Sequence, residues 1–183
     1  EICLAYIGTL GTSYNINVIS DALAILKEKR IENIKFVVMG DGPLKGAFEE
    51  YAKQKGIFCE FTGRLPYNEM VGRLCQCDIA VNPIVETSSA SIINKVGDYA
   101  AAGLPVINTQ PDKEYRKILE EYQAGFNCKN GDVQDIAEKI EVLYKDKELR
   151  EKMGENNKRL AEEKFDRNKT YPQIIKLINS LLK

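Results

Sequence analysis

Histidine is missing from all 183 residues. Ser-His-Asp and Cys-His nucleophile arrangements are therefore impossible within this chain. Any chemistry it supports rests on carboxylates, lysine, backbone dipoles or a group brought by another domain. No Asp-x-Asp pair occurs, so a metal-held diphosphate is not suggested. Cys75-x-Cys77, with no second pair and no histidine, makes a poor metal site. An excess of one charge is also lacking: 26 basic against 27 acidic residues leave a net charge of -1. That balance gives no electrostatic case for nucleic acid, which calls for a strongly basic face. No apolar run approaches the ~20 residues needed to span a bilayer, and the opening residues do not read as a signal peptide. The cysteines Cys3, Cys59, Cys75, Cys77 and Cys128 are odd in number and scattered, which reads as buried reduced thiols in a cytoplasmic protein.

What is present is a regular alternation. At 44% hydrophobic and 29% charged residues, the composition is that of a globular domain with its own core. Strand-length apolar runs fall at Ile2–Ile7, Ile34–Met39, Phe58–Thr62, Ile79–Val81, Leu104–Ile107 and Gly125–Cys128. Between them lie helical stretches at Ile16–Lys29, Leu44–Lys55, Tyr67–Cys75, Ile92–Ala102 and Lys113–Tyr122. The first of these shows the helical period in Ile19, Ala22, Leu23 and Leu26. The C-terminal third is helical only: Val133–Tyr144, Lys147–Glu163, and a last helix after Pro172. No internal repeat, low-complexity tract or interior linker divides the chain. The expectation is a single α/β domain over residues 1–183, with a doubly wound, Rossmann-like parallel sheet of about six strands, helices on both faces and a helical C-terminus.

In such sheets ligands bind outside the carboxyl ends of the strands. The first turn, Gly8-Thr9-Leu10-Gly11-Thr12-Ser13-Tyr14-Asn15, offers two glycines and three hydroxyls. Its amides and helix start suit a diphosphate, although it lacks the third glycine of a dinucleotide fingerprint. A plain turn that needs small residues fits it equally well. In the second turn, Gly40-Asp41-Gly42-Pro43, glycine allows a tight reversal, Asp can cap and Pro suits a first helical position. The third is Phe61-Thr62-Gly63-Arg64-Leu65-Pro66, where Arg64 either stacks on a base or is a solvated loop arginine. Residues 92–109 read as a helix, a break at Gly103 and a short strand. Spacing of three and four places Ser91, Lys95 and Asp98 on one face, with Ile92, Val96 and Tyr99 or Ala100 elsewhere. One cation and one acid there suit a phosphate and a sugar hydroxyl. A surface lysine paired with Asp98 is the plain alternative.

The acid at 98, the small residues after it and Gly103-Leu104-Pro105-Val106 resemble the donor-binding signature of glycosyltransferase family 4. Gly-Asp-Gly-Pro after strand two, the Phe-x-Gly segment after strand three and the closing helices around Val133–Met153 resemble the same family in order and spacing. The resemblance is closest to a capsule- and lipopolysaccharide-type subgroup with a Gly-Thr-Leu-Gly turn and an Asn-Lys-x-x-Asp/Glu-Tyr helix. It implies the C-terminal, nucleotide-sugar-binding half of a two-domain GT-B enzyme. Starting at Glu1 and running straight into a strand fits that half. The implied reaction is retaining, metal-independent hexosyl transfer from a nucleoside-diphosphate sugar to a glycan or lipid-linked acceptor. The acceptor, and any membrane contact, would belong to the missing domain. No cofactor beyond the donor is implied, and the implied location is cytoplasmic, peripheral at the inner membrane face.

In relatives the acid at 98 accepts hydrogen bonds from ribose, and the third turn lies against the base. The resemblance therefore implies donor binding by Gly8, Thr9, Gly11, Thr12, Ser13, Gly63, Arg64, Leu65, Ser89, Ser91, Lys95 and Asp98. Lys95 and Glu86 are the catalytic candidates. The chain departs from the family at Thr9 and Tyr14, where relatives carry an arginine and a lysine on the diphosphate. It departs again at Ala90, eight residues before Asp98, where a glutamate is usual; Glu86, twelve before, is the nearest acid. The alternatives are half of a nucleotide-sugar epimerase, which normally brings histidines, and a non-catalytic nucleotide-binding module, which would show an acidic cluster or a flavin loop.

Overall fold

A computed structural model describes residues 1–88 and 92–182. Six parallel strands form one sheet: β1 (Ile2–Ile7), β2 (Ile34–Met39), β3 (Cys59–Gly63), β4 (Ile79–Asn82), β5 (Val106–Asn108) and β6 (Gly125–Asn127). Their spatial order is β3-β2-β1-β4-β5-β6, so the chain winds outward in one direction from β1 and then in the other from β4. The helices are α1 (Ile16–Glu28), α2 (Lys45–Gln54), α3 (Tyr67–Leu74), α4 (Asn94–Ala101), α5 (Lys113–Tyr122), α6 (Val133–Lys145), α7 (Lys147–Leu160) and α8 (Arg167–Leu181). No described helix is long and apolar enough to cross a membrane.

Alternation along each strand divides the interior into two cores. Leu4, Tyr6, Phe36, Val38, Ile79 and Val81 meet Ile19, Leu23 and Leu26 of α1 and Ile136 and Ile140 of α6. Ala5, Ile7, Val37, Met39, Ala80 and Val106 meet Leu74, Val96, Tyr99, Leu119 and Leu160 on the other face. The expected doubly wound sheet is therefore the one observed. At the carboxyl ends of β4, β5 and β6 the last residue of each strand is an asparagine. Asn82 lies opposite Asn108, and Asn108 opposite Asn127. Asn82 Nδ2 donates to Asn108 Oδ1 at 2.9 Å, and Asn108 Nδ2 to Asn127 Oδ1 at 2.8 Å.

Several boundaries differ from expectation for identifiable reasons. β5 begins at Val106 rather than Leu104, because the Leu104 amide is occupied in closing α4. It bonds the Tyr99 carbonyl at 3.1 Å while Gly103, at φ 70°, bonds Ala100 at 2.9 Å, the paired closure of a Schellman motif. α8 begins at Arg167, before Pro172, since the Asp166 carboxylate accepts from the Asn168 amide at 2.8 Å and starts the helix earlier. The stretch expected as one helix over Lys147–Glu163 instead ends α7 at Leu160 and continues as a π-helical turn, Ala161–Phe165. Nor are all the thiols buried: Cys128 is, Cys3, Cys59 and Cys77 are half-buried, and Cys75 is exposed.

Candidate functional site

The winding direction reverses between β1 and β4, and the crevice outside their carboxyl ends is where a sheet of this order receives a ligand. A cavity of about 1170 Å³ lies there, walled by the turns after β1, β2 and β3 and by the start of α4. The first two turns are joined backbone to backbone. Gly8 donates to the Met39 carbonyl at 3.0 Å and Leu10 to the Asp41 carbonyl at 2.9 Å. A Cβ on Gly40 would sit 1.8 Å from the Gly8 carbonyl oxygen, so glycine is required by the close approach itself. Asp41 does not cap α2, as its residue type had suggested. Its Oδ1 accepts from the next amide, Gly42, at 2.8 Å, while α2 is preceded by Leu44.

α4 is anchored by Tyr99, whose hydroxyl accepts from the Ile7 amide at 3.0 Å and donates to the Val81 carbonyl at 3.2 Å. That fixes α4 against the ends of β1 and β4 and aims its exposed face into the cavity. Asp98 stands half-buried on the wall, and the Tyr67 hydroxyl donates to its Oδ1 at 2.9 Å. The carboxylate raises the Tyr67 hydroxyl above its ordinary pKa, so the phenol stays a donor.

Lys95, one turn earlier, is not the surface lysine of the plain alternative. Only 9% of it is exposed. Its Nζ donates to the Tyr6 hydroxyl at 3.0 Å, and that hydroxyl donates to the Thr9 carbonyl at 2.8 Å. The same nitrogen lies 4.1 Å from the Tyr6 ring centroid and 3.6 Å from that of Tyr14. The two rings meet edge to face at 5.7 Å. Among the described residues no carboxylate forms an ion pair with Lys95. Burial pulls its pKa down to about 7, because an ammonium removed from water is recompensed here only by ring faces and one hydroxyl.

Comparison with known proteins gives the family of the chain. The family model "Glycosyl transferases group 1" matches residues 1–160. The chain belongs to that family. It is 27% identical over 164 residues to EpsD of Bacillus subtilis (strain 168), covering 88% of this chain and 41% of that protein. To sulfoquinovosyl transferase SQD2 of Arabidopsis thaliana it is 29% identical over 163 residues, covering 88% of this chain and 30% of that protein. It thus spans less than half the length of these relatives. Among solved structures, Anabaena HepE in complex with UDP superposes with a TM-score of 0.84 at 16% identity, over 98% of this chain and 49% of that one. The C-terminal domain of the group 1 protein LpcC from Francisella tularensis superposes with a TM-score of 0.75 at 21% identity, over 90% of this chain and 86% of that domain. Both share the fold.

Of the residues that the family resemblance singled out, Gly8, Thr9, Arg64, Leu65, Lys95 and Asp98 line this cavity together. Gly11, Thr12, Ser13 and Gly63 do not. The turn after β1 folds instead toward the segment following β4: Tyr14 bridges Ile84, and the Val85 amide donates to the Ser13 carbonyl at 3.1 Å. Glu86 is exposed on that segment, away from the lining. Ser89 and Ser91 lie outside the described residues. Ile92, expected to point elsewhere, shares the wall with Lys95 and Asp98. Sequence reasoning missed Tyr67 and the tyrosine pair around Lys95. The signal available for the pair was Tyr14 standing at a position where the family resemblance implies a basic residue.

The amides of Gly8 and Leu10 are already bonded within the protein, which leaves Thr9 as the turn's amide on the cavity wall. α4 has no acidic residue in its first turn, so its start presents a positive end to the cavity uncompensated. The arrangement can receive an anion beside Lys95 and a hydroxyl-bearing group beside Asp98. Among the described residues no cluster of three or more Cys, Asp or Glu side chains is placed to hold a metal ion.

Proposed function

We propose that this cavity binds the nucleoside diphosphate of a sugar donor. The diphosphate lies against Lys95, Thr9 and the start of α4. The ribose lies against Asp98, and the base along Arg64 and Leu65. The observation that carries this reading is Lys95: a buried cation without an acid partner is a cost to the free fold, and a polyanion entering the cavity offsets that cost. Family membership supports it, as does the fold shared with HepE, whose structure holds UDP.

The chain is the donor half of a two-domain glycosyltransferase that moves a hexosyl group, with retention, to a glycan or lipid-linked acceptor. The greater length of its relatives supports that organisation. Lys95 then stabilises the departing nucleoside diphosphate electrostatically, in a transfer that is metal-independent. In this reading Ser89 and Ser91 are further donors to the departing diphosphate, and Glu86 is the catalytic carboxylate. The enzyme would work in the cytoplasm, at the inner face of the membrane through its other domain. The test is calorimetric titration of the 183-residue chain with UDP, GDP and ADP. Saturable binding of one of them supports the donor reading, and the absence of binding to all three overturns it.

A further inference from the structure

The opposite end of the sheet holds a feature that the nucleotide cavity does not use. β1 and β4 pair in parallel with Leu4 opposite Ile79, which brings Cys3, one residue before Leu4, beside the Cys77–Asp78 turn. Two bonds lock that approach: the Cys3 amide donates to Asp78 Oδ2 at 2.8 Å, and the Asp78 amide to the Cys3 carbonyl at 2.8 Å. The two sulfurs share a hydrogen bond at 3.0 Å. Continuing the β1–β4 register sets Cys3 opposite Asp78 and Cys77 one residue off. Strands about 4.8 Å apart and a rise of about 3.3 Å per residue put that diagonal at ~6 Å, inside the Cα separation of roughly 4.4–6.8 Å that a disulfide bridges. The sulfurs need to close by only about 1 Å to reach bonding distance.

We infer that Cys3 and Cys77 form a dithiol site that small-molecule disulfides such as oxidised glutathione convert to an intramolecular disulfide, stapling β1 to the entry of β4. The two thiols are unequal. The neighbouring Cys77 thiol holds Cys3 below the ordinary thiol pKa, helped by the charge of Lys35, whereas the Cys3 partner and burial push Cys77 up. Cys3 is therefore the attacking sulfur. Its thiolate bonds one sulfur of the small disulfide, breaking the S–S bond and expelling one thiolate. Cys77 then gives its proton to that thiolate and attacks the Cys3 sulfur. The Cys3–Cys77 bond forms and the second small thiolate leaves, to be protonated by the proton that Cys3 had released. The net change is oxidation of two protein thiols and reduction of one disulfide to two thiols. A reducing cytoplasm would keep the pair open, and an oxidising episode would close it.

The test exposes the chain to oxidised glutathione, alkylates the remaining thiols and maps the peptides without reduction. Cys75 and Cys77 fall between Arg73 and Lys95 on one tryptic peptide, so Cys75→Ser is mapped alongside. The expected result is a Cys3–Cys77 cross-link in both proteins, with Cys59 and Cys128 alkylated. The Tm should rise by roughly 5–10 °C on oxidation and return to its starting value with dithiothreitol. Cys3→Ser should lose both the cross-link and the shift. Alkylation of Cys3 and Cys77 after oxidation, a persistent glutathione adduct, or a cross-link that vanishes in Cys75→Ser would each overturn the inference. If Cys3→Ser does not fold, the maps of the wild type and of Cys75→Ser together decide it.

Discussion

The Lys95 nitrogen lies 3.6 Å from the centre of the Tyr14 ring, at the position where the family resemblance implies a lysine. The cation in this part of the cavity comes from α4 and is held by an aromatic ring where a second charge would repel it. A Cβ on Gly8 would come within 2.8 Å of the same nitrogen, so the turn after β1 also leaves room for the lysine end.

Replacing Lys95 by methionine should therefore separate stability from binding. The aliphatic stem is kept, and a desolvated charge without an acid partner disappears. The expected Tm rise is roughly 3–8 °C, while UDP affinity falls about 10- to 100-fold, the worth of a charge-assisted contact. Uridine, lacking phosphates, should bind the variant and the parent alike. Thermal melts and calorimetry check both; equal losses for UDP and uridine would remove Lys95 from the phosphate role.

The same lysine makes binding proton-linked. In the free protein it titrates at about 7, and a diphosphate beside it raises that value. At pH 8 the free lysine is mostly neutral, so UDP binding takes up nearly one proton, and affinity falls as pH climbs from 7 toward 10. The groups around it are the Tyr6 and Tyr14 hydroxyls, both raised by burial, and Asp98 one turn along α4. Calorimetry at pH 8 in two buffers of different ionisation enthalpy measures the uptake. Folding carries the opposite slope: the unfolded lysine keeps its proton up to about 10.4, so this group makes the fold more stable as pH rises from 7 to 10.

Asp98 and Tyr67 should behave unequally despite their hydrogen bond. Asp98→Asn is expected to cost about tenfold in UDP affinity, because the amide cannot accept two ribose hydroxyls at once. Tyr67→Phe removes only the donor that holds one carboxylate oxygen, on a ring 64% exposed, and should change affinity less than about threefold. Titration of both variants with UDP checks the order. The reverse order would place the ribose on Tyr67.

Glycine substitutions should sort by backbone approach. Gly40→Ala forces a methyl to 1.8 Å from a carbonyl oxygen, and Gly125→Ala to 2.2 Å from that of Val106. Each is expected to lower stability by about 3 kcal/mol or more, or to prevent folding. Gly46 in α2 and Gly72 in α3 have nothing within 4 Å, and alanine there should stabilise by roughly 0.5–1 kcal/mol. Denaturant melts of the four variants measure the split.

Removing α8 should leave the domain standing. None of its residues is buried, and Leu177, Ile178 and Leu181 are all exposed. A chain ending at Asp166 is expected to keep its Tm within about 2 °C and to aggregate less, since an apolar stripe has been removed from water. A large loss of Tm would show that α8 is packed on the domain in solution.

The architecture was legible because its signals are local: apolar runs mark β1 and β2, whose bounds the structure keeps, and Lys113–Tyr122 is capped by Asp112. Leu104 was misplaced because the same apolar residue that would extend a strand is needed to close α4. Pro172 suggested a start, yet the Asp166 cap begins the helix earlier and the proline is carried inside it. In the site, Lys95 and Asp98 were legible from spacing on one helix. The tyrosine pair was not, because Tyr6 lies 89 residues away from Lys95 and reads in sequence as core. Gly11, Thr12 and Ser13 left the cavity through a bridge between Tyr14 and Ile84 that no local pattern announces.

The asparagines that end β4, β5 and β6 bear on how this half of the sheet finds its pairing. The three strands are short, and the residues before the asparagines are mostly interchangeable Ala, Val and Ile. A two-residue slip would keep every side chain on its proper face, and hydrophobic burial alone would barely oppose it. Such a slip would set an amide against an aliphatic neighbour and leave donors unpaired in a dry interior. Correct alignment in this half of the sheet is therefore enforced by a polar penalty on error, and the apolar residues are left free to vary.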